Sequence, residues 1–169
     1  MFQKAAIGLR GEDMPIVLDI ASFTDAQELY DLQIKSFKAL LEKYQDYDFS
    51  PGAEKLERTI QRLYDPITDY YFISLKGKHI GALRICHFET LCKLKQICIL
   101  PEYQGYGYAQ KAITIVESLY PTAEKWELDT ILQEEKLCYL YEKIGYRKTG
   151  RVEPIMNGMD LVFYAKYTM

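Results

Sequence analysis

Two glycines one residue apart, Gly105 and Gly107, sit in the run Ile97-Cys98-Ile99-Leu100-Pro101-Glu102-Tyr103-Gln104-Gly105-Tyr106-Gly107-Tyr108-Ala109. The chemistry they offer belongs to the main chain. Glycine reaches backbone conformations closed to other residues, so successive N–H groups can turn inward with no side chain in the way. A helix predicted to open directly after the loop adds its unpaired first N–H groups and the positive end of its dipole. Such a turn can hold a phosphate or pyrophosphate. It is not a P-loop, because no Gly-Lys-Ser/Thr closes it, and it is not a dinucleotide fingerprint, because Gln110 stands where a third small residue belongs. A strand–helix turn that binds nothing is the plain alternative.

The other reactive side chains narrow the field. The four cysteines, Cys86, Cys92, Cys98 and Cys138, form no C-x-x-C pair, and only His79 and His87 could join them. That spacing argues against a metal site and for reduced, buried thiols. The net charge of −3 lacks the clustered basic excess that nucleic acid requires. No apolar run approaches the roughly 20 residues of a membrane span. The start, Met1 to Gly8, is too short and too weakly apolar for a signal peptide. A cytoplasmic protein without nucleic-acid or membrane partners is expected. Its 169 residues suit one domain spanning 1–169.

These groups must be positioned by the surrounding elements. Residues 1–14 show no periodicity and read as an arm. Ile16–Ile20 reads as a strand. Thr24 and Gln27 look like a capping box for a helix of about four turns, carrying Ala26, Leu29, Tyr30, Ile34, Phe37 and Leu41. Ser50-Pro51 predicts the cap and first residue of a second helix, ended by Asp65-Pro66. Tyr70–Leu75, His79–Phe88 and Leu91–Leu100 read as three successive strands. In the third, Lys93 and Lys95 make odd positions polar, yet Ile97 and Ile99 are also odd. A strand cannot change face without an irregularity, so a β-bulge or splayed end is predicted near Gln96–Cys98. A helix from the glycine loop to Pro121, a strand at Trp126–Thr130 and a helix through Leu137, Leu140, Tyr141 and Ile144 follow, with Gly145 as its cap. Strands Tyr146–Val152 and Met159–Tyr167 close the chain around an Asn157-Gly158 turn. The order β-α-α-β-β-β-α-β-α-β-β suits an α/β fold with one mixed sheet and helices on both faces.

Gln104-Gly105-Tyr106-Gly107-Tyr108-Ala109 resembles the Q/R-x-x-G-x-G/A signature of the GNAT superfamily of N-acetyltransferases. Ile99-Leu100-Pro101-Glu102 resembles the family's strand-end V-x-P-E/D, and Tyr139 to Tyr146 resembles its L-Y-E-K-x-G-F. The resemblance implies a three-layer α/β/α fold and a mixed, mostly antiparallel sheet whose strand before the loop splays from its neighbour. It also implies acetyl-coenzyme A as donor. The pyrophosphate would lie on the N–H groups from Gln104, Gly105, Tyr106, Gly107 and Tyr108 to Ala109. The pantetheine arm would pair with the backbone of Ile97, Cys98 and Ile99. Where the family often has Asn near the start of the last helix, this chain has Glu134, with Gln133 beside it.

Acetyl transfer to an amine requires the amine to lose a proton, the carbonyl oxygen to be stabilised and the leaving thiolate to be protonated. The N–H of Cys98 or a neighbour is the candidate for the oxygen. Tyr141 is the candidate general acid, with a core tyrosine as its alternative role. His87, Glu89 and Glu102 flank the splayed strand without marking a base. The acidic balance, with Asp46, Asp48, Glu89 and Glu102, suits a cationic amine, and the loop Lys43–Phe49 suits an acceptor-pocket wall. The expected partner is a small-molecule or peptide amine, and a homodimer stays open. A coenzyme-binding or sensing module without catalysis is the competing function. An NTP-binding switch lacks the necessary lysine and Mg²⁺ ligands.

Overall fold

The computed structural model describes residues 15–168, so the expected arm at 1–14 lies outside the described residues. Seven strands form one sheet in the order β1-β2-β3-β4-β5-β7-β6. They are β1 (Ile16–Ile20), β2 (Thr68–Leu75), β3 (Lys78–Phe88), β4 (Leu91–Ile99), β5 (Lys125–Ile131), β6 (Arg147–Met156) and β7 (Met159–Tyr167). Among the described residues, only the β4–β5 pairing is parallel. The helices are α1 (Ala26–Tyr44), α2 (Leu56–Leu63), α3 (Tyr108–Ser118) and α4 (Glu135–Lys143).

The helix starts depart from expectation in two places. Ser22, not Thr24, opens the first helical segment: Asp25 Oδ2 accepts the Ser22 N–H at 2.8 Å, and a 3-10 turn at Phe23–Asp25 leads into α1. Ser50 does cap, accepting the Gly52 N–H at 3.1 Å, but only over the 3-10 turn Pro51–Ala53. Glu54 is then extended, and α2 starts at Leu56. The break has a local cause: Glu54 reaches forward to Arg62, whose guanidinium donates to both carboxylate oxygens at 2.7 Å.

The sheet separates two cores. Residues of α3 and α4, including Ala112, Ile113, Val116, Cys138 and Tyr141, pack with Leu83, Ile85, Trp126 and Tyr164 on one face. Leu29 and Leu32 of α1 pack with Tyr70, Phe72, Ala82 and Cys98 on the other. Fully burying side chains of this size contributes about 1.5–3 kcal/mol each, so three layers follow from two apolar sheet faces.

The parity conflict in β4 is resolved by one inserted residue. Arg84 pairs with Gln96 and Ile85 with Leu94, leaving Lys95 as the extra residue of a bulge. Before it, the even residues Cys92 and Leu94 face the α3–α4 core; after it, the odd residues Ile97 and Ile99 do. The bulge thus lies one residue before the predicted window. Bulges bend their strand and increase its twist. Correspondingly, β4 and β5 pair only at Leu91–Lys125, Cys92–Trp126 and Lys93–Glu127, then diverge.

Candidate active site

At the end of β4 the chain enters a 3-10 turn, Pro101–Tyr103, and then the glycine loop. Gly105 and Gly107 have φ of +82° and +81°, the left-handed region in which other residues are strained. Among the described residues, the N–H groups of Gly105, Tyr106, Gly107, Tyr108, Ala109 and Gln110 have no acceptor; the helix ladder begins with Lys111 N–H to Gly107 O at 3.1 Å. Gln104 N–H bonds to Pro101 O at 3.3 Å, and its side chain donates to Ile99 O at 2.8 Å, fastening the loop to the strand. A run of free donors at the positive end of α3 fits a pyrophosphate.

The open edge of β4 is the second component. Leu100 N–H donates to Ile80 O at 2.8 Å. Antiparallel pairs alternate between bonded and unbonded, so Cys98–Ala82, two residues along, is also a bonded pair. The main chain of Cys98 therefore turns toward β3, while that of Ile97 and Ile99 turns toward the gap where β5 has left. Of the three residues expected to meet the pantetheine arm, Cys98 is the exception, and Ile97 takes its place as the N–H available to a carbonyl oxygen. The Cys98 thiol is enclosed, and burial pushes it up to about 11.

Tyr141 supplies a side chain from α4. It is 6% exposed, with its ring 6.3 Å from that of Tyr146 and 6.2 Å from that of Tyr164. The neighbours' hydroxyls are committed: Tyr146 donates to Glu117 and Tyr164 to Glu142, each at 3.0 Å. The Tyr141 hydroxyl has no hydrogen bond among the described residues. Burial, followed by the charge of Asp129, holds this phenol well above its usual pKa, so it stays protonated.

The family model described as "Acetyltransferase (GNAT) family" matches residues 26–146, from the start of α1 through the end of α4. The chain belongs to the GNAT acetyltransferase family. Acetyl-coenzyme A is accordingly its donor, and the free loop N–H groups and open β4 edge fit that molecule. No curated protein matches the sequence. Among solved structures, the acetyltransferase resembles the spermidine N-acetyltransferase from Vibrio cholerae in complex with CoA and spermine, at 18% identity over 90% of this chain and 95% of that one, with a TM-score of 0.71. RimL, a ribosomal-protein alpha-N-acetyltransferase in complex with coenzyme A, aligns at 15% identity over 90% and 93%, with a TM-score of 0.70. The microcin self-immunity acetyltransferase MccE, in complex with acetyl-CoA and AMP, aligns at 21% identity over 97% and 98%, also with a TM-score of 0.70. At these identities the likeness is one of fold.

The remaining expected residues of the acetyltransferase are dispersed. Glu134 precedes α4, and its carboxylate accepts from Lys43 Nζ at 2.7 Å and Tyr44 Oη at 2.6 Å. Burial pushes this carboxyl up, but the two hydrogen bonds outweigh it and hold its pKa below the usual range. Its main chain is committed too, the N–H donating to Ile131 O at 3.1 Å and the carbonyl accepting from Leu137 and Cys138 at 3.0 and 3.1 Å, so Glu134 has no free group for a ligand. Gln133 instead ties the loop to β7, donating to Asp160 Oδ2 at 2.7 Å. His87 lies at the far end of β3, with Nε2 3.3 Å from Asp69 Oδ2, an oxygen that also accepts from Tyr120. Glu89 and Glu102 are exposed at opposite ends of β4, separated by roughly 30 Å of strand at about 3.3 Å per residue. Asp46 is buried and accepts the N–H groups of Asp48 and Phe49 at 3.2 and 3.0 Å. The four carboxylates do not converge on one cationic pocket. Among the described residues, no cluster of His, Cys, Asp and Glu could hold a metal ion, and no helix is long and apolar enough to cross a membrane.

Asp129 was not singled out by sequence. It lies on β5 beyond the last β4–β5 pair, on the sheet face opposite Trp126 and Leu128. Its side chain keeps contact with solvent, yet the protein around the diverging strands desolvates it and raises its pKa; Glu153 adds to the rise, while Lys95 opposes it. A lone acid in a short strand reads as a surface residue. The divergence of β4 leaves this exposed carboxylate beside the open strand edge.

Proposed function

We propose that this acetyltransferase moves the acetyl group of acetyl-coenzyme A to the amine of a small molecule or peptide by direct attack within a ternary complex. The observation that carries this reading is the open edge of β4, which lies between the free loop N–H groups and a protonated tyrosine with no internal partner. Acetyl-coenzyme A supplies an activated acetyl group. The loop from Gln104 to Ala109 holds its pyrophosphate, and the main chain of Ile97 and the N–H of Ile99 pair with its arm. The Ile97 N–H faces the carbonyl oxygen as negative charge grows there. The acceptor nitrogen forms the new C–N bond as the C–S bond breaks. Tyr141 gives its proton to the departing sulfur. Asp129, acting through water, takes a proton from the nitrogen, so the products are a neutral amide and a free thiol. Phenol-to-thiolate transfer is uphill in water, from a pKa of about 10 to about 8.5. Burial raises both the Tyr141 phenol and a thiol, as the Cys98 thiol at about 11 illustrates, so the transfer is driven by the breaking of the C–S bond and not by a reversed pKa order. That thiol is a poor nucleophile, which supports direct attack over a covalent route.

Thiol release from acetyl-coenzyme A, measured with polyamines, aminoglycosides, amino acids and peptide N-termini, tests this reading. Tight coenzyme binding with no turnover of any amine would instead mark a sensing module. The base has its own signature. Asp129 acts when deprotonated, and its pKa is raised. Activity should therefore fall as pH drops through a value above the ordinary aspartate pKa. Asp129→Asn should remove that acid limb and lower kcat by about 10- to 100-fold, within the usual range for a general base. A pH–rate profile checks both, and an unchanged acid limb in the variant would exclude Asp129.

A further inference from the structure

The α1–α2 side of the sheet encloses a charge with no counterpart among the described residues. Arg84, in the middle of β3, is 8% exposed. A guanidinium carries five N–H donors, yet among the described residues the one hydrogen bond Arg84 makes is a weak contact from Nη1 to Cys86 Sγ at 3.8 Å, and its Nε is buried with no partner there. The nearby carboxylate of Glu54 is taken by Arg62 through two bonds of 2.7 Å and by Gln33 Nε2 at 2.9 Å. Two guanidinium groups therefore share one carboxylate, leaving one positive charge in excess. The Tyr70 hydroxyl beside them is also buried and makes no hydrogen bond among the described residues. Burial first, then the like charge of Arg62, pushes the Arg84 pKa down, the response of a cation lacking its anion.

The surroundings show what could complete the set. Arg84, Tyr70, Gln33, Gln96 and Cys98 line a cavity of about 10 Å³, room for roughly one water. Water can satisfy a donor but cannot neutralise an enclosed charge, and an uncompensated buried charge is strongly destabilising. Arg84 is paired across the ladder with Gln96, next to the Lys95 bulge where the edge of β4 opens. The free charge is therefore one strand from the edge that meets the donor's arm, on the face that Asp129 also occupies.

We infer that Arg84, with Tyr70 and Gln96 beside it, binds a carboxylate of the acceptor, so that the acceptor is an amino acid or short peptide carrying a free acid group near its amine. The inference rests on the amine acetyltransferase reading above and names its substrate class. Because the cavity is only about 10 Å³, entry requires the lining Gln96 side chain to swing aside, and the carboxylate then meets the two-pronged face of the guanidinium. It supplies the second negative charge that Glu54 cannot. The amine is left on the β4 side, toward the acetyl group.

The test compares the twenty L-amino acids with their carboxamides in the thiol-release assay, using wild type and Arg84→Met. The wild type should prefer acids by at least tenfold in kcat/KM, and the variant should lose that preference while its KM for acetyl-coenzyme A stays unchanged. A second arm needs no turnover: with coenzyme A present, calorimetry compares N-acetylglycine with N-acetylglycinamide. The acid should bind at least tenfold more tightly to wild type and no more tightly than the amide to Arg84→Met. Arg84→Lys keeps the charge without the fork, should retain part of the preference, and stands in if the methionine variant does not fold. Equal use of acids and amides overturns the carboxylate site while leaving acetyl transfer intact. Absence of all turnover with the binding preference retained overturns the transfer reading alone. A preference that survives Arg84→Met, or no binding of the acid, overturns the role of Arg84.

Discussion

Tyr141→Phe should lower kcat by about a hundredfold, within the usual range for loss of a general acid, while the protein stays folded and its KM for acetyl-coenzyme A barely moves. The expectation follows from what the hydroxyl does not do. It makes no hydrogen bond among the described residues, so removing it breaks none, and the phenylalanine ring keeps its contacts with Tyr146 and Tyr164. Stability should change by less than about 0.5 kcal/mol, as for a substitution that leaves nothing unsatisfied. A group that acts only as the sulfur departs lowers kcat and kcat/KM together. Tyr146→Phe and Tyr164→Phe are the matched controls. Each removes a hydrogen bond to a carboxylate and should cost about 1–2 kcal/mol of stability with little direct effect on kcat. Steady-state kinetics and denaturant midpoints on the three variants separate the roles. Full activity with a lowered midpoint in Tyr141→Phe would falsify the acid assignment and leave a packing tyrosine.

The second large effect is expected at Gly107. Its φ of +81° places it in the left-handed region, where a β-branched residue is strained by about 1–3 kcal/mol. A Cβ there meets nothing within 4 Å, so Gly107→Val causes no clash and the loop can relax by changing its backbone angles. That relaxation swings the free N–H groups away from a common point. Coenzyme A affinity, measured by calorimetric titration, should fall by about 10- to 100-fold, roughly the loss of one or two charge-assisted hydrogen bonds, with only a small change in melting temperature. Gly81 provides the contrast. A Cβ on it would come within 2.1 Å of the Cys98 carbonyl oxygen, so Gly81→Ala should harm folding before it harms binding. Coenzyme affinity unchanged in Gly107→Val would show that the loop N–H groups do not hold the donor.

The scaffold was largely legible because its signals are local. Alternation marked the strands, Asn157-Gly158 marked the last hairpin, and the odd positions of Lys93, Lys95, Ile97 and Ile99 revealed a bulge to within one residue. Local cues failed where a distant partner decided the outcome. Ser50-Pro51 announces a helix, but Glu54 leaves helical geometry and reaches Arg62 eight residues on. Glu134 resembles a ligand contact until α1 brings Lys43 and Tyr44 to it from ninety residues away. Arg84 and Asp129 are charges in strands, and a charge in a strand normally marks the solvent face. Their settings arise from the packing of α1 and α2 and from the separation of β4 and β5, neither of which has a signature at those positions.

The open edge of β4 has a further cost and a remedy. Beyond Lys93 it presents unpaired N–H and C=O groups, and such an edge is a template for any extended chain, including another copy of this one. Two guards stand on it: the exposed charge of Lys95 and the Gln104 side chain that closes off the Ile99 carbonyl. The arm of the donor is the third, because it covers the edge as a strand would. The unloaded enzyme is therefore the form most exposed to aggregation. Donor at a hundred times its Kd stabilises the loaded form by about 2.7 kcal/mol, which ties the persistence of the folded enzyme to the supply of acetyl-coenzyme A around it.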